Sequence, residues 1–380
     1  MRICFIIEYY YPNVGGAEVL FQCLAERLVK AGHTCHVVTC RLPNTKKDET
    51  INGVNIHRVR VPKLGDRFWF IFLSLFSGWK YATKAEIVHT RTYTGAFTAW
   101  LVSRVQKKRV VNHVFEVMGR KWYEIGINPI AAFLYGRLES LVLSLPFDAY
   151  YCISKSTMKS LEDRGVPPQK LFLTYPGIDY DLFNPEKYGK QGREIRDRLG
   201  LKKDTFLYTF YGRPGFTKGV EFLVRSVPYV KERIPSSRLL LILSRNPERG
   251  YKKILVLIQK LGLKSGQELI VIDSVPREEL PYYIQASDCV VIPSLSEGFG
   301  FTCVEACTMK IPVVATDAGS LPEVIFGRYL LVRKGDPLAL ALGIERVYHN
   351  EYTISEDKVF LWEDMVRNCS KVYENLTNHW

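Results

Sequence analysis

The chain has 380 residues and lacks the sequence signals of several protein classes. Its longest apolar stretch, residues 68–79 (FWFIFLSLFSGW), has 12 residues, whereas a membrane-spanning helix needs about 20. Only five apolar residues lie between Arg2 and Glu8, which is fewer than the core of a secretory signal contains. We therefore expect no membrane span, no signal peptide and a cytoplasmic location.

Cysteine pairs with metal-binding or redox spacing are also missing. The nine cysteines form no C-x-x-C pair and no Cys/His pattern typical of a zinc site. Most lie in apolar runs, such as Cys4 within residues 2–7 (RICFII), where cysteine packs as a small hydrophobic residue. These positions predict free thiols in a reducing compartment rather than disulfides.

The glycine loops of the chain do not follow the common nucleotide-binding signatures. The loop after the first predicted strand does not have the spacing G-x-G-x-x-G, which argues against a dinucleotide fingerprint. The loop at residues 211–219 lacks the Gly-Lys-Ser/Thr ending of a P-loop. Any phosphate site in this chain therefore has to be built differently.

Positive charge is in excess, and much of it lies in one region. The chain has 52 basic and 39 acidic residues, a net charge of +13, and residues 41–121 alone carry 16 basic and 5 acidic residues, or +11. This bias suits an anionic partner, which could be nucleic acid, a phosphorylated small molecule or an acidic membrane face. Composition alone leaves the three open.

The hydrophobic pattern predicts an α/β protein with two domains, as the length also suggests. Short Val/Ile-rich runs alternate with longer amphipathic stretches, as in parallel sheets with crossover helices. A polar stretch punctuated by proline and glycine interrupts this alternation. We predict an N-terminal domain over 1–175, a linker over 176–204, a C-terminal domain over 205–356 and a final helix in 357–380. Two such units facing each other would leave a cleft, and ligands bind beyond the carboxyl ends of the strands.

The first glycine loop, residues 11–18 (YPNVGGAE), joins the first predicted strand to the first helix. Gly15 and Gly16 allow a sharp turn and a close approach of the backbone to a ligand. The following helix directs its free N–H groups into the same space. A plain tight turn explains the glycines equally well.

The second glycine loop, residues 211–219 (YGRPGFTKG), follows the first strand of the C-terminal domain. It places Arg213 and Lys218 at a strand-to-helix turn. Two cations and the backbone amides of such a turn are suited to holding a diphosphate.

The third loop, residues 293–306 (PSLSEGFGFTCVEA), combines glycines with two carboxylates. Gly298 and Gly300 delay the helix until about residue 301, so Glu297 is predicted in the loop and Glu305 in the helix. The start of the helix offers amides to an anion, and the glutamates offer acceptors to hydroxyl groups. Phosphate donors beside sugar acceptors indicate a nucleotide-sugar pocket.

These motifs together resemble the retaining glycosyltransferases of family 4, which have the GT-B fold. The resemblance covers nearly the whole chain and implies two Rossmann-like domains facing a central cleft, with the C-terminal helix packing back on the N-terminal domain. The fragments that carry it are residues 15–18, 148–155 (DAYYCISK), 175–185 (YPGIDYDLFNP), 212–219, 286–294 (ASDCVVIPS), the pair Glu297 and Glu305, and residues 317–323 (DAGSLPE).

The resemblance also implies roles for residues of the C-terminal domain. Arg213 and Lys218 would bind the donor diphosphate, Glu297 the hydroxyls of the transferred sugar, and Glu305 the ribose. Residues 298–301 would offer backbone amides to sugar and phosphate: Gly298, Phe299, Gly300 and Phe301. Residues 244–249 (SRNPER) stand where relatives often carry a glycine-rich turn, so base contacts there do not carry over.

In the N-terminal domain, the resemblance implies that Gly15 and Gly16 approach a donor phosphate or the acceptor. His113, at the end of the predicted strand 109–114, would lie near the anomeric carbon, with His89 as the second choice. The implied catalytic set is therefore His113, Arg213, Lys218 and Glu297.

The implied reaction moves a sugar from a UDP- or GDP-sugar to an acceptor hydroxyl with retention of configuration. No cofactor and no metal ion are expected, because two cations can stabilise the departing diphosphate. A nucleotide-sugar epimerase of the same fold is the alternative. Nucleic acid is not expected as a partner, since the basic residues of 41–121 follow no known reader motif.

The basic N-terminal region and the apolar run 68–79 suggest a peripheral membrane contact through residues 67–84. The acceptor would then be a lipid-linked glycan or a phospholipid at the cytoplasmic face. A helix that is apolar on all sides can also be buried in the core, so the pattern leaves both placements open. A soluble acceptor is the corresponding alternative.

Overall fold

The computed structural model describes residues 1–13, 15–124 and 127–378. The chain folds into two compact units. The first is built from residues up to Tyr123, from Ile127–Gly177 and from the C-terminal segment beginning at Phe360. The second is built mainly from Ile178–Val359.

The first unit contains an eight-stranded sheet in the order β3-β4-β2-β1-β5-β6-β7-β8, parallel except for the β3–β4 pair. Its strands are β1 Arg2–Ile6, β2 Thr34–Cys40, β3 Asp48–Ile51, β4 Val54–Val59, β5 Ile87–Arg91, β6 Arg109–Val114, β7 Ala149–Cys152 and β8 Leu171–Leu173. Its helices up to residue 162 are α1 Gly16–Lys30, α2 Asp66–Leu73, α3 Leu75–Ala82, α4 Thr94–Val105, α5 Pro129–Ser144 and α6 Lys155–Glu162.

The second unit contains a seven-stranded sheet in the order β11-β10-β9-β12-β13-β14-β15, parallel except for the β14–β15 pair. Its strands are β9 Phe206–Gly212, β10 Ser237–Leu243, β11 Leu269–Asp273, β12 Cys289–Ile292, β13 Val313–Thr316, β14 Gly327–Val332 and β15 Thr353–Ser355. The helices are α7 Gly189–Arg198, α8 Val220–Arg233, α9 Glu248–Lys260, α10 Leu280–Ala286, α11 Phe301–Thr308, α12 Leu321–Val324 and α13 Pro337–Tyr348, followed by α14 Trp362–Asn378 of the first unit.

The central strands are apolar along their whole length because helices cover both faces of each sheet. In β1 only Arg2 is exposed, and all four residues of β12 are buried. This confirms the predicted pair of parallel α/β domains. Eight of the nine cysteines are buried.

The segment 176–204, predicted as a linker, belongs from residue 178 onward to the second unit. Helix α7 packs against α10 there, and a Cβ at Gly192 would lie 3.1 Å from atoms of Gln285. Arg196 donates to Asp288 at 3.0 Å and to the backbone oxygen of Ala286 at 2.9 Å. The polar surface of α7 resembles a linker in sequence, although one of its faces is packed.

The C-terminal helix α14 packs on α1 of the first unit, which confirms its predicted position. The Tyr151 hydroxyl on β7 donates to the backbone oxygen of Cys369 at 3.0 Å. A Cβ at Gly177 would lie 2.2 Å from the Trp362 nitrogen, so only glycine permits this close approach. Gly177 therefore allows the C-terminal segment at Trp362 to pack closely against this part of the backbone.

The apolar run 68–79, predicted within one helix, forms two short helices that meet at Ser74. The Ser74 hydroxyl contacts Thr98 of α4 at 3.2 Å. Only Phe70, Ile71, Gly78 and Ala82 of the two helices are buried. Six of the 12 residues of the run are therefore exposed, while Phe70 belongs to the core. Within the described residues, no helix has both the length and the apolar content needed to cross a bilayer.

Candidate active site

The second glycine loop, residues 211–219, lies in the second unit and is held against the end of a neighbouring strand. Gly219, which precedes α8, has φ of +63°, and a Cβ there would lie 1.9 Å from the backbone oxygen of Pro293. The amide of Leu295 donates to the oxygen of Thr217 at 2.7 Å. The loop after β9 and the loop after β12 are thus locked together at the carboxyl edge of the sheet.

Lys218 and Glu297 lie on these two loops and form an ion pair. The ammonium of Lys218 is 2.8 Å from both carboxylate oxygens of Glu297. Ser294 donates a further hydrogen bond to Glu297 at 3.0 Å. The side chains of Lys218 and Glu297 are 32% and 10% exposed, so the carboxylate is well shielded while the ammonium still reaches solvent.

The backbone of Glu297 is fixed by a loop that follows β13. Gly319 has φ of +56°, and a Cβ there would lie 2.2 Å from the Glu297 oxygen. The amide of Ser320 donates to the same oxygen at 3.1 Å. Residues 317–323 were part of the resemblance, but Ser294, Gly319 and Ser320 were not among the candidate site residues. Their small side chains carried no chemical signal of their own.

The glycine loop after Glu297 leads directly into α11. Gly300 is the N-cap residue with φ of +91° and has no side chain with which to cap the helix. Phe299 is almost fully buried, and its ring meets that of Phe301 edge to face at 5.1 Å between centroids. Phe299 therefore anchors the loop through its side chain, and only the backbone of residues 298–300 can serve a ligand. A helix start with glycine as its N-cap residue is suited to an anion.

Glu305 lies one turn into α11 and is almost completely buried. Burial raises the pKa of its carboxyl to about 7, although Arg277 and Tyr211 act in the opposite direction. The Arg277 guanidinium lies 3.4 Å from the Glu305 carboxylate and is itself partly exposed. Glu305 can therefore accept or donate a hydrogen bond near neutral pH.

Arg213 is exposed in the same loop as Lys218. A Cβ at Gly250, on α9, would lie 2.1 Å from the oxygen of Pro214, so α9 supports the backbone beside Arg213. Nearby in sequence, the segment 244–249 carries Arg245, which pairs with Asp273 at the end of β11 at 2.8 Å. This exposed pair occupies the region where the family resemblance was weakest.

The first unit places a charged cluster at the carboxyl ends of β1 and β5. Arg91 lies 3.1 Å from Glu18 on α1 and 3.5 Å from Glu8. Glu8 also accepts from the amide of Thr94 at 2.9 Å and so caps α4. Arg91 and Glu8 were not predicted as site residues, because isolated charges at strand ends carry no motif.

Gly15 and Gly16 begin α1 beside this cluster. Gly15 is the extended N-cap residue and has no side chain with which to cap the helix. Val14, which lies in the predicted loop, is outside the described residues. A helix start of this kind is suited to an anionic group.

His113 lies inside the first unit and has no exposed surface. Its ring stacks on His89 at 5.4 Å and contacts the rings of Phe21, Phe115 and Tyr151 at 5.7, 5.3 and 5.6 Å. Burial lowers the pKa of His113 to about 3. Both rings are fully buried in this structure, so we propose a packing role for His113 and His89 in place of the predicted catalytic one.

No group of three or more His, Cys, Asp or Glu side chains within residues 1–13, 15–124 and 127–378 has a geometry that could hold a metal ion.

Family models match both halves of the chain. The model described as Glycosyltransferase Family 4 matches residues 14–182, and the model described as Glycosyl transferases group 1 matches residues 191–360. The second match contains Arg213, Lys218, Glu297 and Glu305. The two matches together extend over both structural units.

Curated relatives are glycosyltransferases. An uncharacterised glycosyltransferase of Methanocaldococcus jannaschii is 26% identical, and the alignment covers 98% of each chain. The D-inositol 3-phosphate glycosyltransferase of Corynebacterium jeikeium is 33% identical, but the alignment covers only 53% of this chain and 51% of the relative.

Solved structures share the fold over nearly the full length. Sucrose-phosphate synthase from Thermosynechococcus elongatus superposes with a TM-score of 0.77 at 21% identity, covering 100% of both chains. Anabaena HepE in complex with UDP-glucose superposes with a TM-score of 0.72 at 16% identity, covering 99% of this chain and 95% of HepE. Together with the two parallel α/β units and the family matches, these findings establish that the chain belongs to the family 4 and group 1 glycosyltransferases of GT-B fold.

Proposed function

We propose that the protein transfers a sugar from a nucleoside-diphosphate sugar to an acceptor hydroxyl with retention of configuration. The observation that carries this proposal is the Lys218–Glu297 pair, which has an ammonium and a carboxylate 2.8 Å apart beside the start of α11, where the N-cap residue is glycine. A cation and free amides suit the diphosphate, while the carboxylate suits sugar hydroxyls. The complex of HepE with UDP-glucose is a precedent for such a donor in this fold.

Each donor group has a matching residue in the second unit. Lys218 and Arg213 bind the diphosphate, and the backbone of residues 298–301 donates to phosphate and sugar oxygens. Glu297 accepts from the hydroxyls of the transferred sugar. Glu305 accepts from the ribose hydroxyls, and Arg277 favours its charged form.

The reaction needs no protein nucleophile. The bond between the anomeric carbon and the phosphate oxygen breaks, and Lys218 and Arg213 stabilise the charge that develops on the diphosphate. The acceptor oxygen forms its bond on the same face of the sugar, and its proton passes to the leaving phosphate oxygen. We propose that two cations suffice for this electrostatic task, so activity should persist in the presence of EDTA.

The acceptor is the less constrained half of the proposal. The exposure of six large apolar side chains within residues 68–79 supports a peripheral membrane contact and a lipid-linked glycan or phospholipid acceptor. The name of the Corynebacterium jeikeium relative instead specifies D-inositol 3-phosphate as acceptor, which supports a soluble anionic acceptor as the second candidate. In either case the start of α1 at Gly15 and Gly16 would meet the anionic group.

A donor screen tests the proposal. The purified chain is incubated with UDP- and GDP-sugars, with EDTA or Mg²⁺, and with either a phospholipid extract or inositol phosphate. We expect slow donor hydrolysis without acceptor and a glycosylated product with one acceptor class. Conversion of the donor to an epimer without acceptor would instead establish the epimerase alternative. Failure of every donor to bind or react would refute the proposal.

A further inference from the structure

Helix α5 presents an apolar stripe to solvent. Ile130, Phe133, Leu134 and Leu141 are 70, 52, 58 and 53% exposed, and the offsets of the last three from Ile130, which are 3, 4 and 11 residues, place all four along one face. The opposite face buries small and apolar residues such as Ala132. A surface helix normally has the reverse distribution, with polar residues outward, so this stripe requires an apolar partner.

Helices α2 and α3 carry a second stripe of the same kind. Phe68, Trp69, Phe72, Phe76 and Trp79 are between 43 and 82% exposed. Trp and Phe at such positions are typical of helices that lie in a membrane interface. We call the stripes of α2–α3 and α5 together the two-stripe surface.

Aromatic contacts join the two stripes. The ring of Phe68 on α2 stacks on Tyr135 of α5 with centroids 5.8 Å apart. Tyr135 in turn stacks on Trp122 at 5.0 Å, and Trp122 meets Tyr93 edge to face. Because these rings tie α5 to α2, the two stripes form one surface of the first unit.

Basic side chains accompany this surface. Arg137 lies in the middle of the α5 stripe, with its guanidinium 5.8 Å from the ring centre of Phe133. Lys80 of α3 lies 5.0 Å from the ring of Tyr81. Residues 60–84 contain five basic residues and one acidic residue. Apolar side chains interleaved with cations match an anionic lipid interface, and the same cations oppose pairing with a second copy of this positively charged unit.

We propose that the two-stripe surface docks on an anionic phospholipid bilayer, with α5 as the second membrane-contacting helix beside residues 67–84. The inference depends on the proposed function in one respect only, namely that the acceptor lies at the membrane. The apolar side chains enter the boundary between headgroups and acyl chains, while Arg137 and Lys80 contact phosphate groups. The docking is peripheral, since neither helix is long enough to span the bilayer.

Vesicle binding by the full chain tests this inference. Vesicles of phosphatidylcholine are compared with vesicles that also contain phosphatidylglycerol, using co-sedimentation. Phe133→Ser with Leu134→Ser should lower the partition coefficient by about tenfold or more, since half of each side chain is available for burial. Arg137→Gln should lower binding by roughly fivefold on anionic vesicles alone.

The matched control is Leu255→Ser with Val256→Ser on α9, because these two side chains are similarly exposed but lie in the second unit. This control should bind vesicles like the wild type. Thermal unfolding followed by circular dichroism verifies that both double variants are folded.

Two results would overturn the inference. The α5 variant could bind anionic vesicles as tightly as the wild type. Alternatively, the wild type could sediment as a dimer that the α5 substitutions dissociate, which would identify a second copy as the occupant. Donor hydrolysis measured without vesicles keeps the two proposals separate. If a variant loses vesicle binding but still hydrolyses the donor, the result bears only on docking. If the wild type shows neither hydrolysis nor transfer, the result bears only on the proposed function.

Discussion

Replacing Lys218 by methionine should destabilise the second unit measurably while leaving it folded. Methionine keeps the apolar stem but removes the ammonium that contacts both oxygens of Glu297 at 2.8 Å. The 10% exposed carboxylate then keeps the hydroxyl of Ser294 but has little access to water. A hydrogen bond to a charged group contributes about 1.5–3 kcal/mol to the free energy of unfolding. Because Lys218 is partly exposed, we expect the variant to lose about 2 kcal/mol of this free energy.

A double-mutant cycle isolates the pair. Glu297→Gln preserves the shape of the side chain and removes its charge. The Lys218→Met, Glu297→Gln double variant should therefore lose less free energy of unfolding than the sum of the losses in the two single variants. The difference should be about 1–2 kcal/mol. The exposed pair Lys252 and Glu248 on α9, 2.6 Å apart, is the matched control and should show a coupling below about 0.5 kcal/mol.

The assay has to report on the second unit. Residues 178–359 contain no tryptophan, so tryptophan fluorescence follows the first unit. Native-state hydrogen exchange of the α8 and α11 amides reports on the Lys218 and Glu297 loops. A coupling no larger than that of the control pair would refute the reasoning.

We also expect Lys218→Ala and Glu297→Ala each to abolish transfer, and activity retained in both would refute the site assignment.

Three further predictions follow from individual residues. In the folded protein the pKa of Glu305 is raised from 4.5 to about 7, so folding favours the neutral form of its carboxyl. The free energy of unfolding should therefore fall by about 3 kcal/mol as the pH rises from about 5 to 8. Urea unfolding followed by circular dichroism should show that Glu305→Gln removes this dependence, and a parallel decline in the variant would contradict the assignment. His113→Phe should retain kcat because the ring has no exposed surface, whereas a large loss of kcat with unchanged Tm would return His113 to the catalytic set. Gly219→Ala should cost more than about 2 kcal/mol, since φ is +63° and the new Cβ would lie 1.9 Å from the Pro293 oxygen. Gly215→Ala is the control with open space, and equal losses in the two glycine variants would refute the steric argument.

The alternation of buried strands and amphipathic helices was readable from the sequence because both faces of each parallel sheet are covered. Strands such as β1 and β12 therefore appear as continuous apolar runs. The edge strands β3 and β15 were not predicted. Each has three or four residues, is partly exposed and pairs antiparallel with one neighbour, so its position depends on that neighbour and not on its own pattern.

The candidate donor site was predicted as separate loops, and their chemistry was visible in the residue types. The tertiary structure decided that Lys218 and Glu297, 79 residues apart, are in direct contact. It also revealed the backbone contact between Gly319 and Glu297. Sequence spacing cannot encode such contacts, because they depend on which strands become neighbours in the sheet.

The histidines and the apolar run 68–79 illustrate the same division. The sequence established that His113 ends a strand and that residues 68–79 are apolar, since both follow from local pattern. Whether a side chain at a strand end faces solvent or the core depends on which helices cover that face. For His113 it is covered by Phe21 of α1, whose ring lies 5.7 Å away. For α2 and α3 the outer face is uncovered, so their aromatic side chains remain in contact with solvent.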